Sequence, residues 1–320
     1  METLFAHKFK IRCSAIHMIM ASMKPTKITA EELAELNHLK QVKDGKALTD
    51  KGNAMAFTAK REARLNELID LQKNPRKAEL PAGAKTYALN WLHDKIYGRN
   101  REFSAEETEK GNRTEQDGFD LIKEYLGDDF MREHPDRVRG EFIEGECDIM
   151  SPSVLYDNKS AFTHETMPLL TEKVKRAHWC QLQGYGHLYG YKWLGRAYTL
   201  TNMPMDMIEK KAFYATKAKH GPDFYEYQHQ EILEQFIHKY TYDDLPLELR
   251  VIISEFDYQP EFIESVIERV KMMREYIAEL EKQIPQKKLD AIIQMIKVRK
   301  AEKEDALNQI KNLPKGAKAA

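Results

Sequence analysis

The sequence predicts an α/β fold: a small central mixed sheet flanked by helices, followed by a C-terminal helical hairpin. Three observations predict it. Two β-patterned runs, 142–149 and 154–160, are joined by Ser151-Pro152-Ser153, a turn because proline presets a turn dihedral and cannot donate to a ladder. Helical segments bracket those runs, and a further strand reads from Ala197 to Asn202. From Pro260 onward, Ile263, Val266, Val270, Met273 and Ile277 form an apolar stripe on a highly charged background; Pro285 breaks it, and Leu289, Ile292 and Ile296 resume it.

Composition bounds the function before any motif does. The 320 residues carry 50 Lys plus Arg against 51 Asp plus Glu, so a polyanionic partner would have to be met by a local positive potential. No run of about 18 apolar residues occurs, so no membrane-spanning helix is expected. The N-terminus lacks the basic and then apolar blocks of a signal peptide, and the cytoplasm is the expected compartment. Cys13, Cys147 and Cys180 have no close spacing, which argues against a zinc knuckle or a disulfide framework.

In chain order, 8–20 is a basic lead-in to a short helix, with Ser14 as a candidate N-cap. Arg12 and Ser14 at a helix start would make an anion site; a plain capping serine and a solvated arginine fit the same residues. Thr29 to Lys43 reads as a helix opened by a Thr29–Glu32 capping box. Asp50 to Gln72 is a long polar helical segment, and Lys85 to Tyr97 another helix. A helix starts near Thr114 and ends at Gly127, with Glu115, Gly118, Phe119, Ile122 and Leu126 on one side. An ionised carboxylate on an inward stripe is rare without a partner or a metal. Alternatively, Glu115 merely suits the dipole of the first turn. Gly118 would let a strand or a phosphodiester come close. His178 to Trp193 is a helix with Gln181 and Tyr185 one turn apart on one face. Glu226 to Tyr240 is another, and Phe213, Tyr214, Phe224, Tyr225 and Tyr227 read as packing residues. His178 and His187 have a spacing that suits no shared helical metal site.

The chemistry concentrates between 145 and 159. Side chains alternate along a strand, so Asp157 and Lys159 share one face while Tyr156 and Asn158 share the other. The hairpin folds Asp148 back toward them. Two carboxylates can hold a hard divalent cation such as Mg²⁺. A lysine beside it can orient or deprotonate a water, or neutralise charge on a phosphate. An acid-x-Lys triplet also occurs at Asp44–Lys46 and Glu209–Lys211, but only Asp157-Asn158-Lys159 follows a strand with another acid one hairpin upstream. The competing reading is a pair of surface charges.

Four segments together resemble the PD-(D/E)xK nuclease superfamily, in its branch of YqaJ-like viral recombinases and lambda-type phage exonucleases. They are Lys10-Ile-Arg-Cys-Ser-Ala-Ile, the glutamate motif from Gly111 to Gly118, Gly145-Glu-Cys-Asp148 with Asp157-Asn-Lys159, and Gln181-Leu-Gln-Gly-Tyr185. The resemblance spans roughly 8–202 and stops short of the C-terminal helices. It implies a restriction-endonuclease-like core and a metal-dependent exonuclease that resects linear double-stranded DNA from the 5′ end for strand annealing. It implies that Asp148, Asp157 and the Asn158 carbonyl bind Mg²⁺ (Mn²⁺ substituting), with Glu115 holding a second metal or its water. Lys159 would activate water, Gln181 and Tyr185 would steady the strand or the lysine, and Arg12 and Ser14 would meet the DNA 5′-phosphate. The resemblance further implies a phage or prophage protein, an annealing-protein partner and a possible homotrimer. The expected organisation is a nuclease domain over 1–258, helical to about 110 and catalytic over about 111–202. A hairpin over 259–313, packed on the domain or on another chain, and a disordered tail over 314–320 complete it. An endonuclease or repair nuclease of the superfamily, or a non-catalytic DNA-binding scaffold, are the alternatives.

Overall fold

The computed structural model describes residues 3–22, 27–50, 52–76, 78–99, 105–133, 136–169 and 174–311, with backbone alone at 306, 307 and 309–311. The tail expected over 314–320 lies outside these residues. The chain divides into two units, Met1–Met20 with Thr86–Ala320, and Ala21–Lys85.

The chain opens with a 3-10 turn, then strand β1 (Ile11–Arg12), a second 3-10 turn (Cys13–Ala15) and the short helix α1 (Ile16–Ile19). Ser14 therefore lies inside a turn, and α1 follows Ala15 with no side-chain cap, contrary to the expected N-cap. The second unit holds α2 (Ala30–Lys43) and α3 (Ala59–Lys73). The Thr29–Glu32 capping box forms as read, with both reciprocal bonds present, a device that contributes about 1 kcal/mol. Leu36 and Leu39 pack on Leu65, Leu68 and Leu71, and Arg64 forks onto Glu35. Helix α3 starts nine residues later than the sequence suggested, because Thr58 caps it by accepting the Arg61 N–H.

Helix α4 (Ala82–Tyr97) begins three residues before the expected Lys85. Then come α5 (Glu106–Arg113), α6 (Glu115–Leu126), β2 (Arg132–Glu133), β3 (Val138–Arg139), β4 (Ile143–Gly145), β5 (Ile149–Met150) and β6 (Val154–Ser160). They are followed by α7 (Arg176–Tyr189), β7 (Trp193–Thr199), α8 (Met205–His220), α9 (Glu226–Tyr240), α10 (Leu247–Arg250) and β8 (Val251–Asp257). The hairpin is α11 (Pro260–Lys282) and α12 (Gln286–Lys311).

The central sheet runs β2-β5-β6-β7-β8, parallel between β6 and β7 and antiparallel elsewhere. A smaller mixed sheet runs β1-β4-β3. The single strand expected over 142–149 is thus two: β4 serves the small sheet and β5 the large one, with Glu146, Cys147 and Asp148 crossing between them. Helix α7 stops at Gly190 rather than Trp193, so Trp193 opens β7, four residues before the expected strand start.

Helix α6 covers one face of the sheet with Leu121 and Ile122, against Ile149, Tyr156, Ala197 and Val251. Gly118 lets it come that close: a Cβ there would stand 2.2 Å from Asn158 Nδ2 and 3.0 Å from Thr199 Oγ1. The aromatics of α8 and α9 pack on one another as expected, Phe213 against Tyr214 and Phe224, and Tyr225 against Tyr227, but outside the core. The two helices meet through Met207, Ile208 and Tyr240, which leaves Phe213, Tyr214, Tyr225 and Tyr227 exposed.

The stripe of α11 faces its own unit, with Ile263, Val266, Val270, Met273 and Ile277 buried. Glu281 accepts the N–H groups of Leu4, Phe5 and Ala6 at 2.8, 2.9 and 2.7 Å, and Arg274 donates to the Phe9 carbonyl. Helix α12 is tied by Arg299 to the Ile96 and Tyr97 carbonyls at the end of α4. Among the described residues no helix is long and apolar enough to cross a membrane.

Candidate active site

β5 lies antiparallel to β6 with Ile149 opposite Tyr156. One residue further, that register sets Asp148 against Asp157 as cross-strand neighbours on a single face. Asp148 Oδ2 also accepts the Asn158 N–H at 2.9 Å. Like charges directly opposite are destabilising, and Asp157 has no exposed surface at all. Three donors converge on it. Lys159 Nζ and Gln181 Nε2 donate to Oδ1 at 2.8 and 3.0 Å, and Arg196 Nη1 donates to Oδ2 at 2.7 Å.

These neighbours drive the two acids apart. Burial, then the Asp157 charge, pushes the Asp148 carboxyl up to about 7, with Glu115 adding and Lys159 opposing. Burial would raise Asp157 as well, but the Lys159 and Arg196 charges win and hold it below its ordinary value. Environments that separate the proton affinities of paired acids are characteristic of chemical sites, although ion-pair networks produce them too.

Each residue singled out in the sequence has a definite place. Asp148, Asp157, Lys159 and Gln181 meet on the α7 side of β6, and Gln181 Nε2 also reaches the Tyr185 hydroxyl at 2.9 Å. Tyr185 is buried, and burial followed by the Asp157 charge raises its phenol above the ordinary range. Glu115 opens α6, and its charge acts on Asp148 without joining the bonded cluster. The Asn158 side chain turns to the opposite face and accepts from Thr199, while its backbone N–H serves Asp148. Arg12 and Ser14 are exposed and flank Cys13, whose sulfur occupies the room that Gly145 and Gly184 leave beside Tyr185. Arg12 itself bonds toward Tyr87.

Sequence reasoning missed Arg196. The β6–β7 register places it directly beside Asp157, and only 1% of it is exposed. The available signal was an arginine in the middle of Leu-Gly-Arg-Ala-Tyr, a strand too apolar to leave a charge unpartnered. His178 stands nearby on α7. Burial and the Arg196 charge lower it to about 4, which keeps it neutral.

Among the described residues no three His, Cys, Asp or Glu side chains are gathered as a preformed cation cage. Lys159 and Arg196 supply the positive charge around Asp157 instead. The donor chemistry still suits a hard divalent cation, because the acids offer oxygen ligands and their mutual repulsion is what a cation relieves.

Fold and site together define an α/β protein with an acid pair and a lysine on one face of a mixed sheet. No family profile and no curated protein matches the chain. Solved structures do. A phage-related exonuclease from Haemophilus somnus 129PT superposes with a TM-score of 0.55 at 20% identity, covering 87% of this chain and 97% of that one. The alkaline exonuclease LHK-Exo from Laribacter hongkongensis gives 0.40 at 15% identity over 86% and 99% of the two chains. LHK-Exo in complex with dAMP gives 0.43 at 14% identity over 66% and 88%. The chain thus has a fold similar to that of the phage-related exonuclease, which agrees with the branch that the four motifs resemble.

Proposed function

We propose that this chain is a metal-dependent DNA exonuclease. In this reading it hydrolyses phosphodiester bonds of linear double-stranded DNA from 5′ to 3′ and leaves 3′ single strands for annealing. The observation that carries the reading is the meeting of Asp148, Asp157 and Lys159 on one sheet face, with the Glu115 charge in reach. The fold it shares with a phage-related exonuclease supports it.

Asp148, Asp157 and the Asn158 carbonyl would hold Mg²⁺, or Mn²⁺ in its place, and Glu115 would serve a second ion or its water. The bound ion supplies Lewis acidity to the phosphate and a lowered water pKa. Lys159 orients the attacking water and neutralises the charge that builds up on the phosphate. Gln181 keeps the Asp157 carboxylate and the Tyr185 phenol in fixed relation. Arg12 and Ser14, exposed on the Cys13 side of Tyr185, take the 5′-phosphate of the DNA end. A cytoplasmic protein of phage origin, acting as a homotrimer with a single-strand annealing partner, completes the proposal.

The test is digestion of 5′- and 3′-labelled linear duplex with Mg²⁺, beside EDTA, a closed circular duplex and Lys159→Ala. Loss of 5′ label from the linear duplex alone, abolished by EDTA and by Lys159→Ala, is expected. Cleavage of the circle points to an endonuclease. Cleavage that survives Lys159→Ala removes the site from the reaction.

A further inference from the structure

Arg196 is buried, yet only one of its three guanidinium nitrogens is satisfied. Nη1 donates to Asp157 Oδ2 at 2.7 Å, whereas Nε and Nη2 are buried with no hydrogen-bond partner among the described residues. The guanidinium Cζ lies 4.3 Å from the centroid of the Tyr198 ring. Tyr198 pairs in register with Lys159, so Asp157, Lys159, Arg196 and Tyr198 form a square of neighbours on one face. A buried arginine with spare donors is a costly way to join two strands that already share a full parallel ladder.

The bonding around Asp157 is sharply divided. Its Oδ2 is gripped from the interior by Arg196 alone. Its Oδ1 faces Lys159 and Gln181. The Arg196 bond engages Oδ2, so the buried carboxylate meets Lys159, whose own side chain is partly exposed, and Gln181 through Oδ1. Outer partners that orient ligating carboxylates are a recognised requirement of metal sites.

We propose that Arg196 is the positioning residue of the hydrolytic site: it pins Asp157 through Oδ2 so that only Oδ1 is offered to a divalent cation and to Lys159. The proposal rests on the function proposed above and deepens it. Arg196 touches neither substrate nor reacting atoms and acts through Asp157.

The experiment compares wild type, Arg196→Lys, Arg196→Gln and Lys159→Ala. Mn²⁺ affinity is measured without DNA by electron paramagnetic resonance, and kcat and KM are measured on linear duplex. Arg196→Gln is expected to lose roughly 10- to 100-fold in Mn²⁺ affinity. Its kcat should fall while KM for DNA stays within about threefold, and Arg196→Lys should recover part of both. Folded Arg196→Gln with wild-type Mn²⁺ affinity and kcat overturns the proposal. A crystal structure of wild type with Mn²⁺ needs no variant to fold. Arg196 on Oδ2 with the ion on Oδ1 supports the inference, and an ion spanning both oxygens with Arg196 displaced sinks it. Failure of the functional reading looks different: wild type then shows no Mn²⁺-dependent cleavage, or Lys159→Ala cleaves as well as wild type.

Discussion

The two faces of β6 are one residue apart in sequence and opposite in physics. On the α6 side, Tyr156 sits in a dry cluster with Ile122 and Ile149, and Asn158 bonds Thr199 under Gly118. On the α7 side, Asp157 and Lys159 belong to a charged network that reaches Gln181 and Arg196. The dry face is held by shape and the charged face by compensation. Crowding should therefore break the first and loss of one charge the second.

The largest effect is expected from Asp157→Ala. It leaves the Arg196 guanidinium buried without an anion, which costs about 3–5 kcal/mol, and cleavage should vanish. Urea melts read the first and labelled-duplex digestion the second. A melt within about 0.5 kcal/mol of wild type would show that Arg196 had found another partner.

Lys159→Ala is expected to lose about 10²- to 10⁴-fold in kcat with little change in the melt, because its side chain is 35% exposed. DNA binding should persist. A variant that unfolds instead would make Lys159 a structural charge.

On the dry face, Gly118→Ala should cost about 1–3 kcal/mol by overpacking, since the new methyl would meet Asn158 and Thr199. The metal affinity of the folded fraction should stay near wild type. A large loss of affinity without a change in the melt would mean that the two faces are not independent.

A last comparison lies where β6 ends. Lys110 is buried, and its ammonium donates to the Ala161 and Phe162 carbonyls. Burial lowers it to about 8 from the ordinary 10.5. Between those values the unfolded chain keeps a proton that the folded chain has lost. Stability should therefore rise with pH across that window, by at most about 1.4 kcal/mol per unit. Melts of wild type and Lys110→Met at pH 8 and pH 10 give the comparison. Equal pH dependence in both would assign the slope to other groups.

What could be read without coordinates was local. The Thr29–Glu32 box, the Glu226–Tyr240 helix and the left-handed Gly127 that ends α6 each depend on a few adjacent residues. The reading failed where a segment answers to two partners. Residues 142–149 look like one strand by alternation, but Gly145 pairs with Val138 in one sheet and Ile149 with Tyr156 in the other. The exposed Tyr225 and Tyr227 were equally invisible, because residue type cannot say which face of α9 meets α8.

The same division runs through the candidate site. Sequence by itself determined that Asp157 and Lys159 share a face, because a strand alternates with a period of two wherever it lies. It also determined that a turn at Ser151-Pro152-Ser153 returns the chain beside them. Only the tertiary structure decided which donors face Asp157, because Gln181 and Arg196 reach it across 24 and 39 residues of chain. That choice is made by the parallel register of β6 on β7 and the docking of α7, and no short-range pattern encodes either.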